Sequence, residues 1–164
     1  MAARHPTIQQ DIEQKRPFRT RSHEAYVALL RTTADSKHFL SHKLDAEDIT
    51  LQQYNVLRIL RGAGDGGLPT LSVAERMLER TPGVTRLIDR MERKGWITRE
   101  RCSEDRRRVW CMITESGLNL LDRMDPAINA VDEVLSRVLT DKELGVLIDY
   151  LDRIRAELAK HEDA

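Results

Sequence analysis

Aromatic rings, cysteines and long apolar runs are all scarce in this chain of 164 residues. Aromatic residues make up 4% of it, against 40% for all hydrophobic residues, so a largely aliphatic core is expected, which suits helices packed on helices. No apolar run approaches the ~18 residues that a membrane span requires, and the first residues lack the apolar segment of a secretory signal. With two cysteines and no such signal, we expect no disulfide framework and a reducing, cytoplasmic location.

Motifs for catalysis and cofactor binding are also missing. The sequence has no nucleophile elbow, no H-E-x-x-H, no phosphate loop and no convincing carboxylate pair. Residues 62–67 match G-x-G-x-x-G, but a dinucleotide site needs this motif between a strand and a helix, and here it follows a predicted helix and runs into Pro69. We therefore expect neither an enzyme nor a bound cofactor.

Two residue pairs raise the question of a sensing role. Cys102 and Cys111 fall on opposite strands of a predicted hairpin. They are either a cross-strand redox disulfide or simply two small, partly buried strand residues, and the second interpretation is preferred. His38 and His42 have the i, i+4 spacing that can hold zinc, but no third ligand is evident. The prediction is therefore that the chain has no metal site.

Hydrophobic periodicity predicts six helices. They run from about 22 to 47, from about 50 to 62, from 72 to 78, from 81 to 94, from 115 to 139 and from 140 to 160. Thr50 with Gln53, and Thr140 with Glu143, are capping-box pairs that mark two helix starts. Pro126 is expected to kink or break the fifth helix, and the basic, polar residues 1–20 to form a loose arm or a short helix.

Residues 70–117 are the most informative stretch. They predict a helix, a short turn, a second helix capped by Thr81 with Pro82 in its first position and ended by Gly95, and a two-stranded hairpin whose tip carries Arg106, Arg107 and Arg108. A helix of this size fits the DNA major groove, and an arginine-tipped hairpin beside it can reach phosphates or a narrow minor groove. This order is that of a winged helix-turn-helix.

The charge of the chain is concentrated in the same region. Formal net charge is zero, with 27 basic and 27 acidic residues, but Ser72 to Trp110 holds 11 Lys/Arg and 7 Asp/Glu, leaving 16 basic and 20 acidic residues elsewhere. Because a polyanion responds to the local field, this imbalance favours nucleic-acid binding by this segment.

Arginines recur along one side of the second helix of the pair. Arg86, Arg90 and Arg93 lie on one ridge at i, i+4 and i+7, opposite an apolar stripe that includes Val84 and Met91. Arginine can donate two hydrogen bonds to guanine O6 and N7. The competing interpretation is a solvated face on which Arg86 or Arg90 pairs with Asp89 or Glu92.

Residues from about 49 to 121 resemble the MarR family of bacterial transcription regulators. The resemblance lies in TLQQYNVL at 50–57, LSVAERML at 71–78, TPGVTRLIDRMERKGWI at 81–97, and the wing from Asp105-Arg106-Arg107 to Ile113-Thr114-Glu115-Ser116-Gly117. Two departures stand out: Trp96, where a smaller aliphatic residue is usual, and a longer glycine-rich run before Leu68, which is expected to be neutral. Trp96 would either fill the core under the wing or border an effector cavity.

The resemblance implies a mainly α fold with a small β-hairpin wing and an intertwined helical dimerisation region. It divides the chain into an arm and dimerisation helix (1–48), a DNA-binding domain (49–117) and C-terminal dimerisation helices (118–164). The expected function is that of a ligand-responsive repressor that binds a pseudo-palindromic operator on double-stranded DNA as a homodimer. The predicted DNA-binding residues are Thr81, Gly83, Val84, Thr85, Arg86, Arg90, Arg106, Arg107 and Arg108.

The resemblance further implies a pocket for a small aromatic or anionic effector between the dimerisation helices and the DNA-binding domain. Its candidate lining residues are Tyr26, Arg31, His38, Tyr54, Arg58 and Trp96. Two alternatives stay open: a winged helix used as a protein-interaction module without a specific operator, and a metal- or redox-sensing regulator.

Overall fold

The computed structural model describes residues 5–79, 82–101 and 108–162, and its fold is mainly helical with one small sheet. The α-helices are α1 (Ile8–Asp11), α2 (Arg21–Leu44), α3 (Leu51–Ala63), α4 (Thr70–Arg76), α5 (Val84–Arg93), α6 (Glu115–Val138) and α7 (Asp141–Glu162). The strands are β1 (Leu68–Pro69), β2 (Ile97–Arg101) and β3 (Val109–Ile113), and a 3₁₀ turn, Asp45–Glu47, follows α2. The six expected helices are present, and α1 is an additional short one.

Both predicted capping boxes are confirmed. At the start of α3 the Thr50 hydroxyl accepts the Gln53 N–H at 3.2 Å, while Gln53 Oε1 accepts the Thr50 N–H at 3.0 Å. Before α7 the carboxylate of Glu143 accepts hydrogen bonds from the backbone N–H of Thr140 at 2.8 Å and from its hydroxyl at 2.7 Å. These bonds hold the pKa of Glu143 below its ordinary value, because they favour the charged carboxylate.

Pro126 does not break a helix. It lies inside α6, which continues from Glu115 to Val138. Pro126 is exposed, so water can satisfy the carbonyl that loses its usual partner four residues earlier.

The sheet has one strand more than the sequence predicted. Its order is β1-β3-β2, with both pairs antiparallel. In β1, Leu68 lies opposite Cys111 of β3. The preceding Gly67 has φ 61°, and a Cβ there would overlap the carbonyl oxygen of Cys111. Gly67 therefore has a structural role, because a residue without a Cβ lets this loop approach the backbone of β3; the effect of the length of the glycine-rich run stays a prediction.

The core lies beneath α5 and joins it to α3, α6 and the sheet. Its fully buried side chains include Leu57 and Leu60 of α3, Ile88 and Met91 of α5, and Leu120 of α6. Because these elements share one core, α5 is held at a fixed position on the surface of the DNA-binding segment. In the part of the chain that the structure describes, none of the helices has both the length and the apolarity needed to cross a membrane.

Candidate nucleic-acid interface

Helix α5 begins later than the sequence predicted. Its N-cap is Gly83, with φ 84° in the left-handed region, and its first residue is Val84. Pro82 and Gly83 form the turn before it, so the prediction that Pro82 occupies the first helical position is wrong. A glycine that reverses the chain immediately before the helix replaces the expected threonine-proline start; Thr81 itself lies outside the described residues.

The two faces of α5 are as expected from its periodicity. Leu87, Ile88 and Met91 are buried, whereas Thr85 and Arg86 are exposed. Val84 was predicted both to face the core and to read bases; it is half-buried and packs against the core, which leaves only part of its surface on the outer side.

Three arginines, Arg86, Arg90 and Arg93, stand on the exposed face. With Pro82, Gly83 and Asp89 they line an open groove along α5. Arg93 Nε donates to the backbone carbonyl of Asp89 at 3.4 Å. Among the described residues, neither Arg86 nor Arg90 makes an ion pair or a hydrogen bond.

The acidic residues of α5 pair with a strand residue instead. Arg99 of β2 places Nη1 2.7 Å from Asp89 Oδ1. It also donates from Nε and Nη2 to Glu92 Oε2, at 2.8 and 2.5 Å. The hydrogen bond to Glu92, together with the two carboxylate charges, raises the pKa of Arg99. The solvated-face interpretation, in which Asp89 or Glu92 neutralises the ridge arginines, is thus not what the structure shows.

The C-terminal end of α5 is fastened by backbone and side-chain contacts. Gly95, with φ 72°, donates to the carbonyl of Glu92 at 2.9 Å, and Trp96 donates to that of Met91 at 3.1 Å; the pair of bonds is a Schellman ending. The predicted glycine stop is confirmed.

Contacts with residues outside the helix hold the same end. Lys94 Nζ donates to the carboxylate and the carbonyl of Asp48, each at 3.0 Å, and lies 4.4 Å from the centroid of the Trp96 ring. The Thr114 hydroxyl donates to the carbonyl of Gly95 at 2.7 Å. Trp96 packs against the core and therefore fills space under the wing.

The turn between α4 and α5 is held by residues that sequence reasoning missed. Asn55 of α3 is buried, and its Oδ1 accepts the backbone N–H of Leu78 at 2.8 Å. Glu79 forms an ion pair with Lys37 of α2. The only sequence signal for the first contact is an amide within the apolar stripe of α3, and the second joins residues far apart in the chain.

The wing is an antiparallel hairpin of β2 and β3 in which Arg101 lies opposite Val109. Arg108, just before β3, is exposed. Arg106, Arg107 and Cys102 lie outside the described residues, so their predicted roles stay predictions. Cys111 is a free, fully buried thiol 3.4 Å from the Thr70 hydroxyl, and burial raises its pKa.

A cavity of about 360 Å³ lies between α2, α3 and the turn before α5. Its lining includes Thr33, Ser36, Lys37, Leu40, Leu51, Gln52, Asn55, Met77, Leu78, Glu79 and Val131. None of the six candidate lining residues named from the sequence borders it. Tyr54, for example, is buried on α3, where its hydroxyl accepts a hydrogen bond from Arg58 at 3.3 Å and burial raises the pKa of its phenol.

His38 and His42 are exposed on α2. Within residues 5–79, 82–101 and 108–162, no three His, Cys, Asp or Glu side chains are grouped as a metal site would require.

Comparison with known proteins agrees with this geometry. The MarR family model matches residues 49–109. The transcriptional regulator FarR of Neisseria gonorrhoeae is 31% identical over 121 residues, which are 74% of this chain and 79% of FarR. The crystal structure of a MarR transcription factor from Planctomyces limnophilus is 34% identical, covers 83% of this chain and 98% of its own, and superposes with a TM-score of 0.63. The MepR–DNA complex of S. aureus is 28% identical, with coverage of 80% and 97% and a TM-score of 0.73. The chain therefore belongs to the MarR family of winged helix-turn-helix transcriptional regulators.

Proposed function

We propose that this regulator binds a pseudo-palindromic site on double-stranded DNA as a homodimer, with one α5 in each of two successive major grooves. The observation that carries the proposal is the α5 ridge, on which Arg86 and Arg90 face solvent while Asp89 and Glu92 are engaged by Arg99. A relative solved in complex with DNA supports the same use of the fold. Such a protein acts on the chromosome, in the cytoplasm, and catalyses no reaction.

Each predicted contact has a distinct chemical role. Arg86 and Arg90 would read guanines through paired donors, and Thr85 would meet a phosphate or a thymine methyl group. Gly83, which has no side chain, would let the backbone approach the duplex closely. Thr81, Val84 and the wing arginines Arg106, Arg107 and Arg108 complete the proposed site on the strength of the family resemblance.

The composition of the exposed face argues against a protein-interaction module. A protein-binding surface would be expected to show an apolar patch. Helix α5 exposes Thr85 and the arginines, and its large apolar side chains Leu87, Ile88 and Met91 are buried. This distribution suits a polyanionic partner.

The dimer is inferred from apolar side chains that no other described residue covers. Helix α7 leaves several large apolar side chains 45–58% exposed: Val146, Ile148, Tyr150 and Leu158. Of residues 141–161, only Leu144 and Leu151 are half-buried, and the others are exposed. Val138 of α6 is 61% exposed. A helix that leaves such a stripe in water requires a partner helix, and a second copy would supply one.

This dimer would give the chain the three parts predicted from the sequence. Residues 1–48 and 118–164 would form the dimerisation region, and residues 49–117 the DNA-binding domain.

We further propose that the regulator is a repressor controlled by a small ligand in the cavity beside α2. The cavity contacts Met77, Leu78 and Glu79, which immediately precede the turn into α5. Its mostly apolar wall favours a small, largely apolar molecule such as an aromatic one, because the cation of Lys37 is already paired with Glu79 in the same lining. A ligand bound there would favour the dimer conformation that it fits best and so change the separation of the two α5 helices.

The decisive experiment is binding to the DNA that flanks the coding region of this protein, over a salt series, with unrelated duplex as competitor. We expect competitor-resistant binding, two symmetric half-sites in a footprint, and a steep loss of affinity with salt. Arg90→Ala should weaken binding, while Arg21→Ala, at an exposed site that pairs with Glu24, should not. Equal affinity for both duplexes would refute sequence-specific regulation by this face.

A further inference from the structure

We propose that Arg99 is a positioning residue. By forming ion pairs with the acidic residues Asp89 and Glu92, it leaves the proposed DNA-reading arginines of α5 available to contact DNA. The proposal rests on the DNA-binding function proposed above and assigns a role to a residue of the wing strand β2. Arg99 touches both Asp89 and Glu92 and uses Nε, Nη1 and Nη2 to do so.

Helix geometry makes Asp89 a competitor of DNA. On an α-helix, residues three or four apart are neighbours, so Asp89 is within reach of Arg86 on one side and of Arg93 on the other. If Asp89 paired with either arginine, that guanidinium would be lost to DNA until the pair broke. Asp89 also lines the groove with Arg86, Arg90 and Arg93, where a carboxylate without a cationic partner would repel phosphate.

Arg99 removes this competition through its shape as well as its charge. A guanidinium is planar and carries donors on several edges, so one side chain can hold two carboxylates that lie three residues apart on the next element. The Arg99 side chain is 28% exposed, less than Asp89 at 43% or Glu92 at 36%. The partly buried arginine therefore engages both carboxylates from the side of β2, so that neither is left to pair with the ridge arginines.

A cycle of variants tests the role. Arg99→Gln should lower operator affinity about ten-fold at ~0.1 M salt, because a DNA contact of an α5 arginine is lost to pairing with Asp89 or Glu92. Adding Asp89→Asn and Glu92→Gln should restore affinity to within about two-fold. The same two changes in the parent protein should have a smaller effect, since the acids there are already engaged. If Arg99 instead touches phosphate directly, its loss will not be rescued.

Two controls separate this role from general effects. Glu75→Gln removes an exposed carboxylate of α4 and should change affinity equally with and without Arg99. Thermal unfolding shows whether Arg99→Gln folds; should it not, Arg99→Lys, which keeps the charge but not the two-sided geometry, takes its place in the cycle with a smaller expected loss.

The outcomes are distinguishable. Asp89→Asn with Glu92→Gln could raise operator affinity by the same factor in the parent protein and in Arg99→Gln. That result would overturn the role of Arg99 and leave the proposed function standing. Failure of the parent protein to prefer any duplex would overturn the proposed function and this role with it.

Discussion

Replacing Gly117 with alanine tests how closely α6 packs on the segment that follows α5. Gly117 lies in the first turn of α6, where its N–H donates to the Thr114 hydroxyl at 3.1 Å. A Cβ at this position would overlap the carbonyl oxygen of Trp96 and lie 2.8 Å from Cγ1 of Ile113. The carbonyl also accepts the backbone N–H of Thr114 at 3.1 Å, so it cannot turn away without losing a hydrogen bond.

Two opposing effects determine how much Gly117→Ala changes the free energy of unfolding. Alanine in place of glycine within a helix stabilises by about 0.5–1 kcal/mol. Forcing an extra carbon into a packed site costs about 1–3 kcal/mol, and the upper end applies here because the obstacle is backbone. The expected net loss is about 2 kcal/mol in the free energy of unfolding, or a Tm lower by about 4–8 °C for a chain of this length.

The matched control is Gly62→Ala in α3, where a Cβ would have nothing within 4 Å. That variant should gain up to about 1 kcal/mol. Both are compared with the parent by thermal and urea unfolding at one protomer concentration, because dimerisation contributes to the measured stability. A Gly117→Ala protein as stable as the parent would show that the proposed overlap is relieved at no cost, and the packing argument would fail.

Three further outcomes are expected. Arg86→Ala or Arg90→Ala should relax preference at one base position per half-site, at about 1–3 kcal/mol each in competition binding; a uniform loss over all sequences would make them phosphate contacts. The folded-state pKa of Glu143 is depressed, so the stability it adds is present above the ordinary glutamate pKa and lost as pH falls through the lowered value. An NMR titration should show Thr140→Ala moving that pKa part of the way back up, because the hydroxyl donor is lost while the backbone N–H remains; no movement would contradict the assignment. Because burial raises the pKa of the Cys111 thiol, its alkylation at pH 8, followed by peptide mass spectrometry, should be far slower in native protein than in urea; equal rates would disprove burial.

Local patterns were enough to predict most of the fold. The helix starts at Thr50 and Thr140 follow from side chains three residues apart, and the glycine stop at Gly95 from backbone conformation alone. The alternation of Ile88 and Met91 with Arg86 and Arg90 fixed which face of α5 is buried. Each of these signals lies within one or two turns of helix, which is why sequence periodicity captures it.

The features that sequence reasoning missed depend on contacts between distant parts of the chain. The sequence around Leu68 predicts a loop, because a two-residue strand is too short to show hydrophobic periodicity. Leu68 belongs to a strand only because it pairs with Cys111. The hydrogen bond from Leu78 to Asn55 and the ion pairs of Arg99 likewise join separate elements. The sequence identifies a charged residue, but tertiary packing determines which residue it forms an ion pair with.

The central position of β3 has a consequence for the order in which this protein folds. Because β3 pairs with β1 on one side and β2 on the other, the β1–β3 ladder encloses the entire helix-turn-helix within a single closed loop of chain. Closing such a loop costs entropy that only the long-range contacts can offset, whereas the β2–β3 hairpin closes a much shorter one. The hairpin can therefore form early, but its attachment to β1 marks the completion of the domain. In a refolding experiment followed by hydrogen exchange, protection of the β1–β3 amides should appear together with that of the α5 core, not before it.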